Sequence, residues 1–189
     1  MEAAIRWSTR NQQDATRRFL IADVANNSLQ YSEIEGIKNG LITPRTICKR
    51  EKLPNFAAFD WSRDNDTWVA IGTSVGECRI ISIDPDRPSP EVLTLPVKLQ
   101  RKCNSVSFSR DEHLAVGLDR IRGDTSLNIY DLTSQSHEPI RRLTGAEVIT
   151  NVKYFSDQPH TLIAGSGGVA RYGQSLKLFD LRGMTSYSI

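Results

Sequence analysis

The sequence predicts an all-β fold, a partial β-propeller of about four blades, and three observations predict it. An aromatic–Ser pair recurs as Trp61-Ser62, Phe108-Ser109 and Phe155-Ser156, with 47 residues between successive copies. A second apolar run ending in small residues follows each pair, and a third run closing on an aspartate follows that. No stretch keeps an apolar stripe at i, i+3, i+4 and i+7 over three turns, so helices are not expected. A period of 20–50 residues is the mark of a solenoid or a propeller, and four strands per unit select the propeller.

The elements follow in chain order. First strands are expected at Phe56 to Ser62, Asn104 to Ser109 and Asn151 to Ser156, where apolar residues alternate. Second strands are Trp68-Val69-Ala70-Ile71-Gly72, His113-Leu114-Ala115-Val116-Gly117 and Thr161-Leu162-Ile163-Ala164-Gly165. Third strands are Arg79 to Asp84, Leu127 to Asp131 and Leu176 to Asp180, with closing aspartates 47 and 49 residues apart. Weaker fourth strands are Val92 to Leu95 and Pro139 to Leu143. A divergent copy opens the chain: Ile5 to Ser8, Phe19 to Asp23, Leu29 to Glu33 and Thr46 to Lys49. Blades are thus expected at about 1–50, 51–98, 99–146 and 147–189. The third-strand ending, an aromatic or aliphatic residue and then Asp, is the WD40 type. Ile, Tyr and Phe stand where Trp is usual, and Leu143-Thr144-Gly145-Ala146 carries Ala where His is usual. The His–Asp hydrogen bond of the standard blade is therefore not expected.

This register makes definite packing predictions. Trp61, Phe108, Phe155, Val106 and Val152 should be buried between blades, as should Ala70, Ala115 and Ala164, because small residues let sheets pack ~10 Å apart. Cys48, Cys78 and Cys103 should be half-buried strand residues, being odd in number and outside any CxxC pair. Four blades should leave an unfinished ring, exposing Leu176, Leu178 and Ile163, or Phe19 and Leu29, with no polar cap at Tyr187 or Ile189.

Composition narrows the function classes. The 24 basic and 22 acidic side chains give a formal charge of +2, too even for a nucleic-acid binder that concentrates Lys and Arg on one face. No apolar run approaches the ~18 residues of a membrane span. Residues Met1 to Arg18 lack the apolar core of a secretory signal, so a cytoplasmic protein is expected. The sequons at Asn26 and Asn65 are then turns rather than glycosylation sites.

Apparent catalytic motifs resolve into turns. Gly72-Thr73-Ser74-Val75-Gly76 fits the G-x-S-x-G nucleophile elbow, but that motif needs a following helix and Glu77 to Asp84 reads as a strand. Gly165-Ser166-Gly167-Gly168 lacks the helix N-terminus of a phosphate cradle and is expected to be a loop. His113, His137 and His160 have no partner at metal spacing and are expected to be exposed. The first strands, which line the channel, present Ser, Val, Asn and Lys, with no converging carboxylates. No catalytic residue, metal ligand or cofactor is expected.

The unusual segment is Gly117 to Ser126, where a mixed-charge loop replaces a short hairpin turn. Asp119, Arg120, Arg122 and Asp124 form a candidate partner-contact loop, since propellers bind through loops at their faces. Asp119 or Asp124 should pair with Arg120, Arg122 or local backbone amides.

Arg101-Lys102-Cys103-Asn104 followed by Leu114 to Arg120, Arg122 and Asp124 resembles the Mio (missing oocyte) family, WD-repeat subunits of the SEACAT (GATOR-2) complex. Leu162 to Gly165 and Leu178 to Arg182 are similar to its next blade. The resemblance implies a non-catalytic scaffold in a complex that relays amino-acid sufficiency to TORC1 signalling. It implies protein partners, including a nucleoporin-type propeller in full-length members, and a cytoplasmic location peripheral to the vacuolar or lysosomal membrane. The family's helical solenoid and zinc-binding domain have no counterpart in these 189 residues. The alternatives are a generic adaptor or reader of peptides or histone tails, and, further off, a small-molecule enzyme at a propeller channel.

Overall fold

The computed structural model describes residues 3–8, 17–87, 89–97, 100–134, 136–143, 147–167, 173–183 and 185–188. Their regular elements are all strands, in four antiparallel meanders. Blade 1 is β1 (Ala3–Trp7), β2 (Arg18–Asp23), β3 (Ser28–Lys38) and β4 (Leu41–Arg50); blade 2 is β5 (Phe56–Trp61), β6 (Trp68–Thr73), β7 (Glu77–Ser82) and β8 (Glu91–Pro96). Blade 3 is β9 (Cys103–Phe108), β10 (His113–Leu118), β11 (Leu127–Asp131) and β12 (Arg141–Leu143); blade 4 is β13 (Val148–Tyr154), β14 (Thr161–Gly167), β15 (Gln174–Asp180) and β16 (Thr185–Ser188). Sequence patterning did not anticipate β16 or the length of the β3–β4 hairpin. That hairpin turns at Asn39-Gly40, both at positive φ (52° and 77°), the conformation an Asn-Gly turn supplies between twisted strands.

Successive blades bury three apolar layers. Leu20, Ala22, Leu29 and Tyr31 of blade 1 meet Trp61, Val69, Ile71 and Ile81 of blade 2. Ala70, Cys78 and Ile80 meet Val106, Phe108, Leu114 and Tyr130 of blade 3. Ala115, Leu127 and Ile129 then meet Ile149, Val152, Tyr154 and Leu162 of blade 4. Alternation along each strand produces this, since one set of side chains faces back and the other forward. Among the described residues no such layer joins blade 4 to blade 1.

The register corrects the fourth blade. Ser62 N–H donates to Trp68 O at 3.0 Å and Ser109 N–H to His113 O at 2.9 Å; in blade 4 the same bond runs from Phe155 N–H to Thr161 O at 3.1 Å. Tyr154, not Phe155, is thus the counterpart of Trp61 and Phe108. Tyr154 is 4% exposed and Phe155 44%. A one-residue slip moves every side chain to the other face of a strand; the inner aromatics at 61, 108 and 154 are spaced 47 and then 46 residues, a difference that the aromatic–Ser spacing hides. Burial pushes the Tyr154 phenol well above its usual range. Trp61, Phe108, Val106, Val152 and all three alanines are buried as expected.

The third strands are also shifted. Trp68 pairs with Ser82, His113 with Asp131 and Thr161 with Asp180, so Ser82 rather than Asp84 is the equivalent residue. These three residues share one job. Ser82 Oγ accepts from Asp84 N–H at 3.1 Å, Asp131 Oδ1 from Thr133 N–H at 2.9 Å and Asp180 Oδ1 from Arg182 N–H at 3.0 Å. Each side chain caps the turn two residues on, as Asp and Ser do in turns. The closing aspartate therefore has a local role, and in blade 4 the Arg182 guanidinium, followed by the Arg182 N–H, holds the Asp180 carboxyl down to about 2.

The cysteines are buried rather than half-buried. Cys78 and Cys103 sit in the layer between blades 2 and 3, and burial pushes both thiols up, Cys103 to about 11. The thiolate is the reactive form. In the folded chain Cys78 and Cys103 should resist a thiol-specific disulfide reagent at pH 8 and react as soon as denaturant unfolds it. Rapid modification of the folded chain at either residue would contradict this packing.

Candidate functional site

The loop between β10 and β11 is built by residues outside it. Second-to-third-strand turns and blade-to-blade linkers share one end of a four-stranded meander, so the loop lies beside the linker that enters blade 3. Arg101 of that linker is buried, its side chain 3% exposed. Its guanidinium donates to Asp119 O at 3.3 Å and to Thr125 O, and pairs with Asp124 Oδ2 at 3.1 Å. One side chain thus holds both ends of the loop, using the planar fork that only Arg presents. Asp119 N–H donates to Lys102 O at 3.0 Å, and Leu118 N–H to Ser126 O at 2.8 Å. A tight turn follows, in which Asp124 N–H reaches Ile121 O at 3.3 Å across Gly123, at φ 84°.

Asn104 completes the frame. Its Nδ2 donates to Asp119 Oδ1 at 2.7 Å and to Ile149 O of blade 4 at 3.2 Å. Gly117 leaves room beneath the loop: a Cβ there would lie 2.5 Å from Ile149 Cγ2 and 2.7 Å from Ser105 Oγ. The candidate acids therefore turn inward, Asp119 onto Asn104 and Asp124 onto Arg101 and Thr125 N–H (2.8 Å). Of the expected partners a local backbone amide is found, Thr125 N–H to Asp124, whereas neither acid pairs with Arg120 or Arg122 among the described residues. Both arginines are exposed and have no ion pair among the described residues. The loop presents these two guanidiniums, while its two carboxylates are part-buried and engaged by Asn104, Arg101 and Thr125 N–H.

A second polar constellation lies at the inner strands and was missed in the sequence. The residue before each blade's inner aromatic is Arg6, Asp60, Ser107 or Lys153. Asp60 Oδ2 accepts Phe108 N–H of the next blade at 2.9 Å, and Ser107 Oγ accepts Tyr154 N–H at 3.1 Å. Lys153 has no acceptor to offer and reaches instead from blade 4 to Asp60 Oδ1 of blade 2, at 2.5 Å. A carboxylate and cations thus do converge in the channel, contrary to the expectation from first-strand composition. The signal was there in the column Arg6, Asp60, Ser107, Lys153, legible only once the aromatics are aligned correctly.

The remaining motifs have structural roles. Ser74 lies in the hairpin turn between β6 and β7, where Thr73 Oγ1 exchanges hydrogen bonds with Glu77 O and Glu77 N–H, both at 2.9 Å. Gly165 to Gly167 belong to β14, not to a loop; Gly168, like Thr144 to Ala146 and Ile189, lies outside the described residues. His137 is exposed, whereas His113 and His160 are half-buried, and His160 Nε2 lies 3.5 Å from Asp111 Oδ2. Among the described residues no group of three His, Cys, Asp or Glu is placed to hold a metal ion.

With this geometry in view, the chain can be set beside known proteins. No family model matches it. It is 29% identical over 118 residues to an uncharacterized WD repeat-containing protein of Schizosaccharomyces pombe, a match covering 60% of this chain and 13% of that protein. Among solved structures it is similar to Saccharomyces cerevisiae Sqt1 (TM-score 0.67, 12% identity, 97% of this chain and 47% of that one). Chaetomium thermophilum Raptor gives a TM-score of 0.71 at 13% identity, over 98% of this chain and 16% of Raptor. A chain of the COPII outer coat vertex on membranes gives the same score and identity, over 98% of this chain and 49% of that one. The fold is a partial WD40-type propeller. These identities carry the fold alone, and the chain spans about half or less of each of these proteins.

Proposed function

We propose that this chain is part of the propeller of a Mio-like subunit, a non-catalytic scaffold in the complex that relays amino-acid sufficiency to TORC1 signalling. The observation that carries this reading is structural. Arg101, Asn104, Gly117, Asp119 and Asp124, which carry the resemblance to that family, are the residues that build the blade 3 loop. A loop held in one shape by Arg101 and Asn104, with Arg120 and Arg122 presented outward and unpaired among the described residues, supports a contact surface. Exposed charges contribute only ~0–1 kcal/mol each to stability. The partner's facing surface would be acidic, and the complex peripheral to the vacuolar or lysosomal membrane. The likeness to a propeller from a membrane coat vertex supports a scaffold role in such an assembly.

Replacing Arg120 and Arg122 together by Ala should leave the thermal midpoint within about 2 °C of the parent, since the replaced side chains hold nothing in the fold. Co-purification of the other complex subunits from cells should fall severalfold. Undiminished co-purification would return the loop to an ordinary solvated surface.

A further inference from the structure

We propose that the channel mouth formed by blades 1, 2 and 4, on the end opposite the blade 3 loop, is a binding site for an acidic segment of a peptide. The loop plays no part in it, so this site stands or falls independently of the function proposed above. First-to-second-strand connections share that end, and the site gathers side chains from the ends of the inner strands. A cavity of about 70 Å3 is lined by Arg6, Trp7, Ser8, Asp60, Trp61, Ser62, Arg63 and Lys153. Its volume suits one carboxylate or phosphoryl group and little more.

Charge decides what that group is. Three cations line the cavity against a single carboxylate, Asp60, and that carboxylate is fully committed. Lys153 Nζ takes one of its oxygens at 2.5 Å and Phe108 N–H the other at 2.9 Å. Arg6 and Arg63 have no ion pair among the described residues, leaving an excess of two positive charges at the mouth. Arg6 is nonetheless not loose: its guanidinium lies 5.6 Å from the centre of the Phe59 ring. A guanidinium held over an aromatic face keeps its edge N–H groups free for an oxyanion, the planar recognition Arg provides. The Lys153–Asp60 pair crosses from blade 4 to blade 2, so the one carboxylate in the lining is already neutralised by a cation before an anion enters. Trp7, 55% exposed at the rim, adds an apolar wall on which the flanking peptide chain can rest.

The site contains its own reporter, because Trp7 and Trp61 both line it. Intrinsic tryptophan fluorescence of the 189-residue chain, read at submicromolar concentration, would be titrated with four probes. These are a hexapeptide with a central phosphoserine, its glutamate and serine counterparts, and inorganic phosphate. Both anionic peptides are expected to change the emission with Kd values at least tenfold below the serine peptide's, and 0.5 M NaCl should weaken them, as screening demands. The R6Q/R63Q variant, checked for an unchanged circular dichroism spectrum, should lose at least tenfold in affinity, while R6K/R63K retains part of it. Equal binding of the serine peptide, or undiminished binding by R6Q/R63Q, would overturn the proposal. Inorganic phosphate binding as tightly as the phosphopeptide would overturn its peptide part. If the glutamine variant fails to fold, the contrast between anionic and serine peptides on the parent chain decides alone.

Discussion

The isolated chain is expected to self-associate at micromolar concentration, because its two terminal blades each leave an apolar face uncovered. Equivalent positions show what such a face needs. Cys78 and Leu127, one blade apart, are fully buried by the blade that follows. Their counterpart in blade 4, Leu176, is 48% exposed, and Ile163 and Leu178 beside it are half-buried where Ala70 and Ala115, Ile80 and Ile129 are covered completely. At the other end Trp7 and Ile5 face outward. Phe19 and Leu29 do not: Leu29 faces blade 2, and Phe19 is covered with Trp7 against it at 5.3 Å between ring centres. Exposed contiguous apolar surface promotes association, and each Leu or Ile recovered from water contributes about 1.5–3 kcal/mol. Analytical ultracentrifugation should show oligomers or aggregates, and Ile5→Lys with Leu176→Lys should shift the population toward monomer. A parent chain that sediments as a monodisperse monomer would mean that these faces find cover within the four blades.

Arg101→Met should be the most damaging single change at the candidate loop. Met keeps the aliphatic volume of the stem but removes the guanidinium that holds Asp119 O, Thr125 O and Asp124. Hydrogen bonds to a charged group are worth about 1.5–3 kcal/mol each, and acceptors left without a donor add a desolvation penalty. Asp124 is partly exposed and recovers some hydration, so a net loss of about 2–4 kcal/mol is expected. For a chain of this size that lowers the thermal midpoint by roughly 5–15 °C. Amide hydrogen exchange should accelerate most at residues 118–126. An unchanged midpoint with unchanged exchange there would show that Arg101 is not the loop's anchor. Arg120→Ala and Arg122→Ala have the opposite profile, which separates the residues that shape the loop from those it presents.

The sequence by itself determined the class of fold, the number of blades and the unusual loop. These depend on local signals: strand alternation, aspartates closing the third strands, and a period near 47 residues. Alternation sent Trp61, Phe108, Val69, Leu114 and Leu162 into the core without reference to any neighbour. What the sequence left open was decided between strands and between blades. The blade 4 aromatic is Tyr154 and not Phe155, because Tyr154 pairs with Leu162 as Trp61 does with Val69 and Phe108 with Leu114, and spacing from one Ser to the next cannot see that pairing. Ser82 does the work of Asp131 and Asp180 because pairing with β6, not residue type, fixes its place. Asp119 and Asp124 abandon the adjacent arginines because Asn104, 15 residues before Asp119, and the buried Arg101, 23 residues before Asp124, offer partners less exposed than the solvated arginines. Asp60 and Lys153 meet across 93 residues because closing an arc of blades brings their inner strands around one axis. Each local pattern specifies a strand and its two faces; only the packed arc specifies which charge each face will meet.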